Sequence, residues 1–580
     1  MRGGNGIDLL LLHPPSVYDF REKSILYGPV SDMVPSSTVF EMYPIGFLTI
    51  LAYLAERGLE VRIANLAVRM IADRRFDVRD FLSRQRPRAI GIDLHWLPHA
   101  HGALEVARVA KELHPSVPVI FGGLSSTYFH RELVAYPQVD YVLRGDSTEP
   151  ALHELLLALR AGSPLAPVPN LTWKEAGEVR VNPLRSIPPT LDYVDVRPEL
   201  LVDMVLRYRD LKSVLPFNGW WRNPITMVLP LKGCSFDCST CGSSRTTCTH
   251  LTERVRPVFR SPESLVANMV RIGRISRGPI VLIGDLRQGG EGYAKEVLER
   301  MRGAALPNEI VFELLDLPPE SFLDVVDRCV RNWSCELSPE SHDPAVRLAL
   351  DGETAYTNGE LEQFVHAALA RRCHRVDVFF MIGLPQQTYD SVQQTIDYCE
   401  RLLSTSDRRL NCFISPMGPF VDPGSQIFVD PERFGYRLFA RTLEEHRRLL
   451  VQPSWEHILS YETRWMSRAQ LVDATYDAAE RLNELKRLYG RISASQARAV
   501  AERIGEARRL RERLRDEGEA SRGAASALEG EIARFSMSTV CDKNELAWPR
   551  HLLNFRPLGI ARAALERLRA PSGTRVRPRP

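Results

Sequence analysis

Gly233-Cys234-Ser235-Phe236-Asp237-Cys238-Ser239-Thr240-Cys241-Gly242 places three cysteines at C-x3-C-x2-C spacing on a glycine-flanked loop. Three thiolates this close together can wrap one face of a metal cluster. They supply three ligands where an ordinary 4Fe–4S cluster takes four, which leaves one iron open to another molecule. A closed zinc site needs a fourth ligand, and Cys248 or His250 can complete one, so spacing alone leaves both metals open. A disulfide framework is the weakest reading, because ten cysteines in 580 residues is not the density of a stapled secreted domain.

Outward from the loop, short apolar runs alternate with amphipathic ones. Thr226–Leu231 leads into the cysteines, and Ser261-Pro262-Glu263 opens a helix with Ser as N-cap and Pro in the first turn. Strands are expected at Pro279–Asp285, Glu309–Leu314, Trp333–Leu337, Val376–Ile382 and Leu410–Ser415, with helices at Pro319–Val330, Glu360–Arg371 and Asp390–Leu403. This alternation implies right-handed crossovers and a parallel sheet with the cysteine loop at its C-terminal edge.

The N-terminal third repeats the pattern. Ile7–Leu12 precedes His13-Pro14-Pro15, Tyr43-Pro44-Ile45-Gly46 opens a helix leading to Ala55–Ile63, and strands follow at Arg88–Leu94, Val117–Phe121 and Asp140–Leu143. Gly122-Gly123 and Arg144–Pro150 end the last two. Such a doubly wound α/β unit binds ligands at strand C-terminal edges. Residues 166–212 read as a connector, Pro-rich at Ser163–Pro169, with one strand at Asn170–Trp173 and the Ile187–Asp192 run. Beyond 425, Ala469–Leu488 and Ala494–Glu517 have charged helical periodicity, and the dense Arg/Glu/Asp face at 502–519 reads as solvated. Phe535–Phe555 is expected to pack back on the barrel, and Ala570–Pro580 to be disordered.

The cysteine triplet resembles the cluster loop of the radical S-adenosylmethionine (SAM) enzymes, and the fragments behind it resemble that family's motifs in the same order. Ser338-Pro339-Glu340-Ser341 is similar to its Gly-x-Glu-Ser turn, and Phe380–Thr388 to its Phe-x-x-Gly-Leu-Pro-x-x-Thr motif. Thr240 departs from the aromatic or bulky apolar residue usual before the third cysteine. The N-terminal third resembles the cobalamin (B12)-binding domain that precedes many radical SAM domains, through Pro14-Pro15, Pro44-x-Gly46, Gly122-Gly123 and the Gly145–Glu149 turn.

The resemblance implies an α/β chain with an N-terminal doubly wound, Rossmann-like cobalamin-binding domain (1–165), a linker (166–212), a partial (β/α)6 radical SAM barrel (213–425) and a mainly helical C-terminal domain (426–580). It implies that Cys234, Cys238 and Cys241 ligate the cluster. Gly284 and Asp285 would meet the SAM amino group, with Gly289-Gly290-Glu291 close behind. Ser338 and Glu340 would meet the ribose, and Gly383 the adenine. Gly122, Gly123, Ser125, Ser126 and Thr127 would lie against the corrin's nucleotide tail. His95 sits in Asp93-Leu94-His95-Trp96-Leu97-Pro98, without the glycine of cobalt-ligating motifs and after the third strand. His95 or Trp96 is therefore expected to approach the lower corrin face without ligating cobalt, and His99 and His101 to face solvent.

Charge nearly balances, at 75 basic against 72 acidic residues, which implies no nucleic-acid or membrane field. No apolar run reaches about 18 residues, and no signal peptide is read, so the expectation is a cytoplasmic protein that keeps its thiols reduced. Cys329, Cys335, Cys373, Cys399, Cys412 and Cys541 lack ligand spacing. Taken with the resemblance, the cofactors expected are a 4Fe–4S cluster, SAM and cobalamin, and the partners a small-molecule or carrier-bound substrate and a flavodoxin- or ferredoxin-type electron donor. The activity implied is methylation of an unactivated carbon, a heteroaromatic one included, through methylcobalamin and a 5′-deoxyadenosyl radical; relatives include methylases of antibiotic pathways. Ring contraction, cyclisation or redox chemistry without methyl transfer, and a zinc- or cobalamin-binding sensor, are the alternatives.

Overall fold

The β-branched and leucine-rich runs form two parallel sheets. The computed structural model describes residues 6–23, 25–26, 39–350, 356–405, 407–516, 528–532 and 554–569. In the N-terminal sheet, β1 (Leu9–His13), β2 (Val61–Asn65), β3 (Ile90–Asp93), β4 (Val119–Gly122) and β5 (Tyr141–Leu143) run parallel. Their leucines and isoleucines are almost wholly buried between helices on the two faces, as a doubly wound sheet requires.

The expected connector contributes to this sheet. β6 (Leu171–Glu175) and β7 (Glu178–Val181) add an antiparallel hairpin beyond β5, giving the order β2-β1-β3-β4-β5-β6-β7. Ala176 and Gly177, both at positive φ, form its two-residue turn, the geometry that matches strand twist. The helix Pro198–Tyr208 follows, with Met204 buried in the N-terminal core.

The second sheet is open and six-stranded: β8 (Thr226–Val228), β11 (Ile280–Leu282), β12 (Ile310–Leu314), β13 (Trp333–Glu340), β14 (Cys373–Ile382) and β15 (Leu410–Pro416), all parallel and in chain order across the sheet. Thr226–Leu231 is not one strand. Pro230 has no N–H to continue the ladder, and Leu231–Lys232 (β9) instead pairs antiparallel with Val258–Phe259 (β10), just before the cysteines. In β14, Val376, Val378, Phe380 and Ile382 are buried on the helix side, where Phe380 meets Tyr398 at 6.1 Å, while Phe379 and Met381 on the opposite face stay half-exposed. The sheet's inner face thus lines an open lumen.

Helices Arg468–Leu488 and Ala494–Asp516 occupy the C-terminal region as expected. One flank of the charged face is not solvated: Arg511 is buried and donates to Glu456 at 2.7 Å, and Arg515 reaches the same carboxylate at 2.9 Å. The expectations for 535–553, for Cys541 and for 570–580 lie outside the described residues. Asn554 and Phe555 are described and do pack on the barrel, with Asn554 Nδ2 donating to Arg222 O at 2.6 Å and Phe555 beside Trp220.

Candidate active site

The cysteine loop is fixed by two side chains and two backbone contacts from other segments. Gln288, in the turn after β11, accepts from Ser235 N and Oγ at 2.8 Å each and from the Cys234 thiol at 3.5 Å. Asp422 accepts from Gly242 N at 2.9 Å, and a Cβ on Gly242 would come within 3.0 Å of it. Ser239 donates its N–H to Leu350 O at 2.8 Å, and its carbonyl accepts from Ile427 N at 3.1 Å. All three cysteines remain half-exposed. Burial first, then Asp422 and the other two cysteines, push the Cys241 thiol well up. The three thiols share one short loop, as the ligands of a cluster would, while among the described residues no three His, Cys, Asp or Glu side chains are placed to hold a single metal ion. The zinc alternative is not supported by its fourth ligands: Cys248 is buried with its thiol on Ser243 O at 3.3 Å, and His250 is exposed.

Along the strand C-terminal edge, Glu340 ends β13 at φ 67, its Oε2 buried and without a hydrogen-bond partner among the described residues. Burial raises its pKa to about 8. An unpaired carboxyl is costly to bury, and the hydroxyls of a ribose would satisfy it. Ser338 is exposed on the same strand. Gly284 (φ 98) donates its N–H to Glu313, whereas the Asp285 carboxylate is taken up by Arg287 N at 2.9 Å, Leu315 N at 3.2 Å and the Arg287 guanidinium. Gly383 (φ 101) closes β14, where Gln387 Oε1 accepts its N–H at 2.8 Å; its carbonyl accepts from Tyr436 Oη.

In the N-terminal unit the turns after β3 and β4 interlock. A Cβ on Gly123 (φ 116) would stand 2.6 Å from His95 Cα, so this glycine admits the chain's own backbone; the space beside Gly122 is open. Ser125 Oγ donates to His95 O at 3.1 Å, Ser126 Oγ to Gly122 O at 3.1 Å and Thr127 Oγ1 to Gly123 O at 2.9 Å. Their protons hold the loop. His95 and Trp96 are partly accessible, with ring centroids 4.6 Å apart. Burial lowers the His95 pKa to about 4, Asp93 opposing and Lys232 adding to it. His99 and His101 do not face solvent. His99 is fully buried, stacks on Phe40 at 4.8 Å and bonds Phe40 O at 2.8 Å; His101 accepts from Tyr18 N at 3.3 Å. The helix they open faces the core with its first turn, which a solvent reading of its histidines overlooked.

The two units meet at the base of the cysteine loop. Lys232 Nζ donates to Asp146 O at 2.7 Å and lies 3.7 Å from Glu149. Buried Arg254 pairs with Asp146 and donates to Ser147 Oγ at 3.2 Å. The turn Asp146–Glu149 is thereby pinned beside the cysteines.

Residues 33–153 match the B12 binding domain family. The structure of the radical SAM methyltransferase TsrM from Kitasatospora setae, with cobalamin and a [4Fe–4S] cluster bound, superposes with a TM-score of 0.57 at 17% identity, covering 92% of this chain and 99% of that one. OxsB, a cobalamin-dependent SAM radical enzyme with aqua-cobalamin and SAM bound, gives 0.53 at 13% identity, covering 97% and 80%. The chain has the fold of the cobalamin-dependent radical SAM enzymes. A protein of Pyrococcus horikoshii named as an uncharacterised methyltransferase is 30% identical over 197 residues, 33% of this chain; the match spans only 40% of that relative. Within this fold the Asp146–Glu149 turn lies against the base of the cysteine loop, and Glu340 ends a strand of the sheet behind that loop. Sequence reading missed Gln288 and Asp422, and also Glu313, Glu336 and Asp377, whose signal was a carboxylate inside each of three apolar strand runs.

Proposed function

We propose that the protein is a cobalamin-dependent radical SAM methyltransferase acting on an unactivated carbon of a small or carrier-bound substrate. The observation that carries this reading is the three-cysteine loop at the C-terminal edge of an open parallel sheet, pinned by Lys232 and Arg254 to the B12-binding unit. When bound, the cluster, SAM and cobalamin would supply the electron, the hydrogen-abstracting radical and the methyl group. The chain's own part is to hold and orient. Cys234, Cys238 and Cys241 would ligate the cluster and leave one iron for SAM. Glu340, with a free carboxyl oxygen, would receive the ribose hydroxyls. His95, held neutral at physiological pH, and Trp96 would line the cobalamin face. The half-exposed inner face of β12 to β15 would take the substrate. A flavodoxin- or ferredoxin-type donor and a cytoplasmic setting fit a reducing cluster; among the described residues no helix is long and apolar enough to cross a membrane.

Anaerobic reconstitution tests this, with iron, sulfide, zinc and cobalamin quantified in wild type and in the Cys234→Ala/Cys238→Ala/Cys241→Ala variant. About four irons per chain, lost in the variant, with bound cobalamin, is the expected result. Turnover should then release both S-adenosylhomocysteine and 5′-deoxyadenosine. Stoichiometric zinc without iron or cobalamin would sink the reading, and 5′-deoxyadenosine alone would replace methylation by a cobalamin-assisted radical rearrangement.

A further inference from the structure

The lumen wall is acidic at one level. Glu313, Glu336 and Asp377 pair in register across β12, β13 and β14, and Asn411 of β15 continues the row. Register partners in a parallel sheet point to the same side. Their neighbours Cys335, Leu337, Val376 and Val378 are buried on the helix side, so the row faces the lumen. Two of the carboxylates are occupied. Glu313 accepts from Gly284 N, and Asp377 from Arg375 Nε at 2.7 Å and Asn411 Nδ2 at 3.3 Å. Glu336 stands between them, half-buried, with no hydrogen-bond partner among the described residues.

A carboxyl held partly out of water without a partner is unfavourable, and nothing in the sheet requires one at this position. Burial, then Glu313 and Asp377, raise its pKa to about 8, with Arg375 opposing. Two residues further along β14 and β15, Phe379 and Phe413 stack at 4.9 Å and 17° on the same face, with Phe379 half-exposed. Lys486 closes the far side, its Nζ 4.2 Å from the Phe413 ring. An aromatic shelf therefore sits above a carboxyl that is held in its neutral form and has no hydrogen-bond partner among the described residues.

We propose that Glu336 anchors the substrate by its protonated nitrogen, and that the substrate is a flat, apolar-bodied amine resting on Phe379. The assignment rests on the reading of the strand edge above as the radical centre, since Glu336 lies four residues before Glu340 on β13. The negative row rejects carboxylates and leaves neutral isosteres without the charge-assisted bond that fixes orientation.

The experiment is isothermal calorimetry on the anaerobically reconstituted protein with three probes of one shape: benzylamine, benzyl alcohol and benzoate. Benzylamine should bind saturably, about tenfold tighter than benzyl alcohol, and benzoate not at all. Because the cation draws Glu336 into its charged form, binding should release a proton, so the measured enthalpy should vary with the buffer's ionisation heat. Glu336→Gln should abolish both the preference and the buffer dependence with iron content and circular dichroism unchanged. Benzylamine binding no tighter than benzyl alcohol, or an affinity untouched by Glu336→Gln, overturns the proposal. If the variant does not fold, the wild-type probe series and buffer dependence decide alone. The titration needs no turnover. Loss of the methyltransferase reading would show in metal and product analysis, and failure of this one in the probe series.

Discussion

Glu340 is the residue whose state says most about the candidate site, because its buried Oε2 has no hydrogen-bond partner among the described residues. Glu340→Gln should weaken SAM binding about tenfold by equilibrium dialysis, with about four irons per chain retained; unchanged SAM affinity would remove it from the site. Glu340 and Glu336 also set a pH dependence. Both are raised from 4.5 to about 8, so between those values the native state holds more protons than the unfolded one, and stability falls as pH rises. The slope is at most about 1.4 kcal/mol per pH unit for each carboxyl. Urea unfolding of the protein without added SAM at pH 5, 6.5 and 8 should show that decline, and either Glu→Gln change should flatten it. At this scale the candidate site was legible where a motif marks it: the three cysteines and Glu340 stand in recognisable strings. Glu313, Glu336 and Asp377 were not, because a single carboxylate in an apolar strand carries no record of which face it takes or what lies in register with it.

The turns at strand ends were legible as glycines, but their reasons were not. Gly383→Ala would place a Cβ 2.8 Å from Tyr461 Oη at φ 101, and should cost about 1–3 kcal/mol. Adding Tyr461→Phe removes the obstructing oxygen and should restore part of that loss in urea unfolding. Gly123→Ala meets the His95 backbone at 2.6 Å, and no side-chain change can relieve it. Equal rescue at both positions would contradict this distinction. Regular elements were read well from periodicity: the six parallel strands of the second sheet and the helices at Pro262–Gly273, Glu320–Cys329, Asn358–Leu369 and Tyr389–Leu403 were anticipated to within a few residues, whereas the helix Glu291–Ala304 was not read. The failures were local chemistry outweighed by context. Pro230 split one apolar run into two strands, and an Ala176-Gly177 turn made a sheet hairpin out of an apparent connector. Of the histidines opening the helix Ala100–Leu113, His99 is held inward by Phe40 and His101 by the Tyr18 backbone.

For the whole molecule, the decisive contacts are those no single element reveals. The B12-binding unit is held along two seams. One is the clamp of Lys232 and Arg254 on Asp146 and Ser147 beside the cysteine loop. The other lies with the C-terminal region, where Trp455 N donates to Leu26 O at 2.8 Å, Leu443 N to Glu132 at 2.7 Å and Tyr136 Oη to Glu444 at 2.8 Å. Arg254→Ala leaves Asp146 half-sequestered without its guanidinium, and breaking such a pair costs about 3–5 kcal/mol. The second seam should keep the chain together, so sedimentation should not change, and the three cysteines should still take up about four irons. What should change is the relation of the two cofactors. In the holoenzyme, microwave power saturation of the cob(II)alamin signal should show weaker relaxation by the reduced cluster in Arg254→Ala than in wild type. The charge-reversed pair Arg254→Asp/Asp146→Arg should recover part of it. Identical saturation in wild type and Arg254→Ala would mean that the clamp stabilises the fold without setting the distance between cluster and cobalt.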